Sequence, residues 1–162
     1  GRMSLIIRPA TADDLPCIAS FIRELADYEK LAHAVRFDEA ELAKNLFGPR
    51  PYAEVVIGEV DGNASGFALF FHNFSTFEGK AGIHLEDLYV QPEARGLGLG
   101  AALLQHLAAL AVERGCARLE WNVLDWNEPA LGFYKSLGAL PMSDWIGMRL
   151  DGDRLAQLAS KA

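Results

Sequence analysis

Val90-Gln91-Pro92-Glu93-Ala94-Arg95-Gly96-Leu97-Gly98-Leu99-Gly100-Ala101 is the stretch on which the reading of this chain turns. A strand expected over Gly82 to Val90 ends ahead of Pro92. An arginine and three alternating glycines then lead into a helical pattern that runs from about Gly98 to Arg114. Glycines lack Cβ atoms, so backbone can approach a ligand closely and successive N–H groups can form a concave anion nest. The helix behind adds unpaired first-turn donors and the positive end of its dipole. Such a device suits a phosphate or diphosphate. A P-loop is excluded, because no Gly-Lys-Ser/Thr follows. Gly96, Gly98 and Ala101 do satisfy the degenerate G-x-G-x-x-A dinucleotide pattern, with Glu120 where a ribose-binding acid would stand. That pattern normally turns directly off its strand and opens its domain, whereas here Gln91 to Arg95 intervene and several elements come first. The glycines alone leave a nicotinamide-linked enzyme open.

Outward from this loop the elements are legible. Upstream, Leu5-Ile6-Ile7 reads as a first strand. Thr11 and Asp14 form a capping-box pattern, and Leu15, Ile18, Phe21, Ile22 and Leu25 give a helix to about Tyr28. Phe37 to Leu46 reads as a shorter helix stopped by Gly48-Pro49. Ala53 to Val60 and Ala64 to His72 read as strands around an Asp61-Gly62-Asn63 turn, and Phe74 to Lys80 as a loop. In the helix after the loop, Leu103, Leu107 and Leu110 share a face, with Leu104, Ala108 and Ala111 beside it and Gly115 as its stop. Downstream, Arg118 to Val123 reads as a strand, Glu128 to Leu137 as a helix, Trp145 to Leu150 as a last strand, and Asp151 to Lys161 as a terminal helix. This order implies an α/β (α+β) fold, a mixed twisted sheet flanked by helices, in one domain over residues 1–162.

The formal charge of −7 comes without a cluster of Lys and Arg, which argues against nucleic acid or an anionic membrane as partner. No apolar run reaches spanning length and no signal h-region opens the chain. Gly1-Arg2 ahead of Met3 reads as a scar of expression. Cys17 and Cys116 fit no metal spacing and no CxxC pair, and read as partly buried free thiols in a reducing compartment. His33, His72, His84 and His106 share no metal-ligand spacing, so no metal is expected. Trp121 and Trp126 read as core or wall residues.

Arg95-Gly96-Leu97-Gly98-Leu99-Gly100 resembles the R/Q-x-x-G-x-G/A coenzyme loop of the GNAT acetyltransferases. Ile7-Arg8-Pro9-Ala10-Thr11, Glu24 to Lys30, Leu85-Glu86-Asp87-Leu88-Tyr89-Val90, Asp125-Trp126-Asn127-Glu128-Pro129 and Phe133-Tyr134-Lys135 resemble, in order, the diamine (spermidine/spermine) and thialysine acetyltransferase branch. The resemblance implies the GNAT acyl-CoA N-acyltransferase fold, acetyl-CoA as cosubstrate, a small primary amine as acceptor, a homodimer and a cytoplasmic location. By it, the backbone of Leu88, Tyr89 and Val90 pairs with the pantetheine arm, and Arg95, Gly96, Leu97, Gly98, Leu99, Gly100 and Ala101 cradle the diphosphate. Asn127, Pro129, Ala130 and Ser136 contact the coenzyme further along, and Tyr28, Glu29 and Glu86 face the amine. Lys30 to Val35 stand where polyamine-type members carry further acids, and Trp145-Ile146-Gly147-Met148 where those members have acids and a tryptophan. Tyr28-Glu29-Lys30-Leu31 and Val123 to Asn127 are closer to the thialysine type, so a small diamine or lysine-like amine is expected.

The chemistry these residue types allow is direct acetyl transfer in a ternary complex. A primary alkylamine has a pKa of about 10.4, so at pH 7 the neutral form is short by roughly 4–5 kcal/mol. A carboxylate can bind the cation and take its proton, and Glu86 is the candidate base; strand alternation is expected to send Asp87 to the other face. Tyr134 is the candidate acid for the leaving thiolate, and a backbone N–H near Leu88 the candidate oxyanion donor. A non-catalytic CoA-binding module, with Tyr134 and Glu86 merely structural, is the other alternative.

Overall fold

The computed structural model describes residues 3–162, so the reading of Gly1-Arg2 falls outside the described residues. Contacts divide the chain into two units, one through Asn122 and one from Val123 onward, which are described separately.

The first unit is built on one sheet, ordered β1 (Leu5–Pro9), β2 (Glu54–Val60), β3 (Asn63–Ser75), β4 (Lys80–Val90) and β5 (Leu119–Trp121). The first four are antiparallel neighbours and β5 runs parallel to β4. The β2–β3 hairpin turns on Asp61 and Gly62, both at positive φ, and Asn63 already belongs to β3. The Asp61 carboxylate accepts from the Ser4 N–H at 2.8 Å, which ties β1 to the same turn. β3 and β4 extend further toward each other than the sequence suggests, so the loop expected over Phe74 to Lys80 shortens to four residues between Ser75 and Lys80.

The expected capping box opens the 3-10 turn Ala12–Asp14 that leads into helix α1 (Leu15–Tyr28): the Thr11 N–H donates to the Asp14 carboxylate at 2.8 Å. Asp14 also takes two hydrogen bonds from Arg8 at 2.8 and 2.9 Å, and these hold its carboxyl below the usual carboxylate range. Ile18 and Phe21 of α1 and Leu46 of α2 (Glu39–Phe47) bury against Val55, Ile57, Phe67, Leu69 and Tyr89 on one sheet face. Helix α3 (Leu99–Glu113) packs on the other face through Leu99, Leu103, Leu104, Leu107 and Ala111; Leu110 is half-buried and Ala108 exposed. Its first turn comes unusually close to the sheet. A Cβ on Gly58 would lie 2.7 Å from Leu99, and one on Gly66 would lie 2.6 Å from the Tyr89 carbonyl oxygen and 3.2 Å from Leu99. These two glycines let the N-terminal end of α3 seat against the sheet, which fixes where the loop before it stands.

The second unit holds α4 (Glu128–Ser136) and α5 (Gly152–Ala159). No strand forms over Trp145 to Leu150, contrary to the sequence reading. Alternating apolar residues favour a strand only where a sheet edge is offered, and these residues pair with none; Trp145, Ile146 and Met148 are 78%, 81% and 90% exposed. Trp126 is likewise exposed rather than a core residue, whereas Trp121 on β5 is half-buried.

Candidate functional site

Beyond β4 the chain makes a 3-10 turn (Pro92–Ala94) and then a further turn over residues 95–98 into α3. Gly96 and Gly98 have φ of +80° and +87°, in the left-handed region that an L side chain adopts only at a cost of about 1–2 kcal/mol. A Cβ built on either would meet nothing within 4 Å, so the space beside this backbone is open. The amides of Gly96, Leu97 and Gly98 make no backbone hydrogen bond among the described residues, and the first bond closing α3 is from Ala102 N–H to the Gly98 oxygen at 3.0 Å. The amides of Leu99, Gly100 and Ala101 lie in the helix's first turn, where no carbonyl four residues back is in the helix. A run of unpaired donors from 96 to 101, beside open space and at a helix N-terminus, fits a diphosphate on the chain's own backbone.

Strand β4 offers a second polar edge. It pairs with β5 only over Ile83 to Leu85, while its other edge stays paired with β3 as far as Val90. Among the described residues the β5-side edge from Glu86 to Val90 is therefore without a strand partner, and Leu88, Tyr89 and Val90 stand on that edge. The Tyr89 side chain itself is buried: its hydroxyl donates to Glu24 at 3.0 Å, and burial, with Glu24 beside it, pushes its pKa up.

The acids lie where the register breaks. Leu69 faces Asp87 and Phe70 faces Leu85, leaving Glu86 as the extra residue of a β-bulge. The bulge overturns the alternation argument that set Asp87 apart from Glu86. Asp87 shares the α1 face with its partner Leu69, next to the end of α1, and the charges of Glu86 and Glu29 reach it. Burial first, then those two charges, push the Asp87 carboxyl up to about 6. Burial also pushes Glu29 up. Glu86 is the exposed member, 3.6 Å from His84 Nε2. Tyr28 and Glu29 stand at the last residue and C-cap of α1, and the Arg95 guanidinium lies over the Tyr28 ring. Sequence reasoning passed over Asp87; only a bulge, which has no local signature here, returns it to the acidic group.

In the second unit, Asn127 caps α4, its side-chain oxygen accepting from the Ala130 N–H at 3.4 Å, and Pro129 occupies the first turn. Tyr134 is half-buried on α4 with its ring 5.6 Å from that of Phe133, and Ser136 Oγ donates to the Phe133 carbonyl at 2.6 Å.

The histidines do structural work where they are bonded. His72 Nδ1 lies 3.0 Å from the Gly82 carbonyl and Nε2 lies 2.9 Å from Arg114. Arginine only donates, so Nε2 accepts and Nδ1 carries the hydrogen. Both cysteines are free and half-buried, and burial pushes the Cys17 thiol up. Among the described residues no group of three or more His, Cys, Asp or Glu could hold a metal, and no helix is long and apolar enough to cross a membrane.

Residues 19–139 match the family model described as the acetyltransferase (GNAT) family. A thialysine N-epsilon-acetyltransferase of Sus scrofa is 37% identical, the match covering 98% of this chain and 99% of that protein. An L-ornithine N5-acetyltransferase of Arabidopsis thaliana is 31% identical over 95% of this chain and 87% of its own length. Among solved structures, an integron cassette protein of V. cholerae superposes with a TM-score of 0.80 at 31% identity, covering 98% and 99% of the two chains.

Proposed function

Because this chain belongs to the GNAT acetyltransferase family and is an N-acetyltransferase, we propose that it transfers acetyl from acetyl-CoA to a terminal primary amine of a small lysine-like or diamine substrate. The observation that carries the donor side is the row of unpaired amides from Gly96 to Ala101 beside open space. Family membership favours coenzyme A over a nicotinamide dinucleotide as the ligand of that row. On the acceptor side, relatives named for thialysine and ornithine fit the acids Glu29, Glu86 and Asp87, which suit one ammonium group better than a long polycation.

When bound, acetyl-CoA supplies an activated thioester; the chain's own residues do the rest. The amides of residues 96–101 hold the diphosphate, and the free edge of Leu88 to Val90 aligns the pantetheine arm, with a β4 amide near Leu88 stabilising the oxyanion. Glu29 and Asp87 draw the ammonium toward the bulge. Glu86, exposed on it, takes the amine's proton directly or through water, offsetting the roughly 4–5 kcal/mol that protonation withholds. Tyr134 donates to the sulfur as thiolate leaves. Asn127, Pro129, Ala130 and Ser136 contribute to coenzyme binding. The acyl group passes directly from one bound substrate to the other, so no nucleophilic side chain is needed. Two free thiols fit a reducing, cytoplasmic setting, and the relatives' branch suggests a homodimer.

The test is a panel of amines (thialysine, lysine, ornithine, putrescine, spermidine) with acetyl-CoA, following release of free thiol. Thialysine, lysine or ornithine should exceed spermidine in kcat/KM by at least about tenfold. Preference for spermidine would overturn the acceptor assignment, and absence of thiol release with all of them would overturn the catalytic one.

A further inference from the structure

We propose that Arg95 is a strut joining the coenzyme loop to the acceptor side of the site, so that ordering one end orders the other. This rests on the acetyl-CoA reading above and assigns Arg95 a second task within it. The guanidinium carbon stands 5.3 Å from the centroid of the Tyr28 ring and 5.8 Å from that of Tyr89, and Nε donates to the Val90 carbonyl at 3.1 Å. The three supports differ in stiffness. Val90 ends β4, and Tyr89 is a core residue whose ring lies against Phe21 and whose hydroxyl is fixed on Glu24. Tyr28 is the last residue of α1 and is 45% exposed; two residues on, Lys30 takes a φ of 62° that few side chains adopt. Tyr28 is therefore the support free to move, and Arg95 is what holds it to the loop.

Guanidinium chemistry permits both tasks at once. The group carries five N–H donors in one plane, and its faces are free to stack on aromatic rings. Nε is the donor engaged here; the terminal nitrogens make no hydrogen bond among the described residues, so phosphate oxygens can take them while a face stays on Tyr28. A diphosphate held on the loop then fixes Arg95, and through it Tyr28 beside Glu29. Linkage requires the reverse as well: whatever orders Tyr28 tightens coenzyme binding by the same factor.

Calorimetry of coenzyme A with no amine present reads the strut directly, because Tyr28 is assigned to the amine and not to the coenzyme. An exposed cation–π contact is worth about 0.5–1 kcal/mol and already exists in the free protein, so Tyr28→Ala should raise the Kd for coenzyme A measurably, with about two- to fivefold as the ceiling. Tyr28→Phe keeps the ring and should restore wild-type affinity, a rescue that loss of the hydroxyl alone would not give. In an Arg95→Gln background, which removes the cation that lies over the ring, Tyr28→Ala should add no further loss. Melting curves establish that each variant is folded, with Tyr28→Leu replacing Tyr28→Ala if the latter is not. Wild-type or tighter binding by Tyr28→Ala, or an undiminished loss in the Arg95→Gln background, would overturn the strut. Absence of heat with the wild-type chain would overturn the coenzyme reading itself, and is seen before any variant is made.

Discussion

Replacing Asp87 with asparagine should make the protein more stable at neutral pH and a poorer enzyme. The Asp87 carboxyl is pushed from the usual 3.8 to about 6 by burial and by the charges of Glu86 and Glu29. Between about pH 4 and pH 6 the unfolded chain has released this proton while the folded chain still holds it. Stability therefore falls as pH rises through that window, and the full penalty is present above about pH 6. A shift of about two units corresponds to a ceiling of about 3 kcal/mol at pH 7. Asparagine keeps the shape without the charge, so the variant's advantage should be small at pH 3.5 and grow to between about 1 and 3 kcal/mol by pH 7. At this chain length that is roughly 2–10 °C in Tm. Urea melts of both proteins from pH 3.5 to 8 measure the difference, which cancels the opposite contributions of Asp14 and Glu54; their carboxyls are held low by Arg8 and Arg114 and lose stability as pH falls. A variant less stable than wild type at pH 7, or a difference that does not change with pH, would refute the reasoning. In the same preparation kcat/KM for the amine should drop, the trade-off expected of a site that keeps repelling acids together.

Gly98→Val should weaken coenzyme A binding by tenfold or more in calorimetry, because a β-branched residue at φ +87° strains the loop and its side chain fills the space the backbone opens onto. Tyr134→Phe should lower kcat by about 10²-fold or more while the calorimetric affinity for coenzyme A changes little; unchanged turnover would remove its role as acid. Gly66→Ala should destabilise the protein by about 1–3 kcal/mol in urea unfolding, since the new methyl group meets the Tyr89 carbonyl at 2.6 Å and a backbone atom cannot swing aside.

The local signals were strong wherever a single element could satisfy itself. The Thr11–Asp14 box opens a 3-10 turn that runs directly into α1, which ends at Tyr28 as its periodicity implied, α3 and α4 stop within a residue or two of their expected ends, and the Asp61-Gly62 turn is where its residues demand positive φ. The glycine loop was readable for the same reason: its chemistry is that of contiguous backbone. The second unit shows the limit. Trp145 to Leu150 carry strand-forming side chains, yet a strand exists only against an edge, and no spacing within the segment says whether one is offered.

By itself the sequence determined the order of elements through α4, the glycine-rich loop that opens a helix, and the family to which the chain belongs. The tertiary structure alone decided that Asp87 joins Glu86 and Glu29, because a one-residue bulge in β4 resets which face each later side chain takes. It alone decided that the Arg95 guanidinium lies over Tyr28, a residue 67 positions earlier, and that Gly58 and Gly66 admit Leu99. Contacts between residues far apart in the chain depend on how sheet register and helix docking come out together, and no local pattern encodes that result.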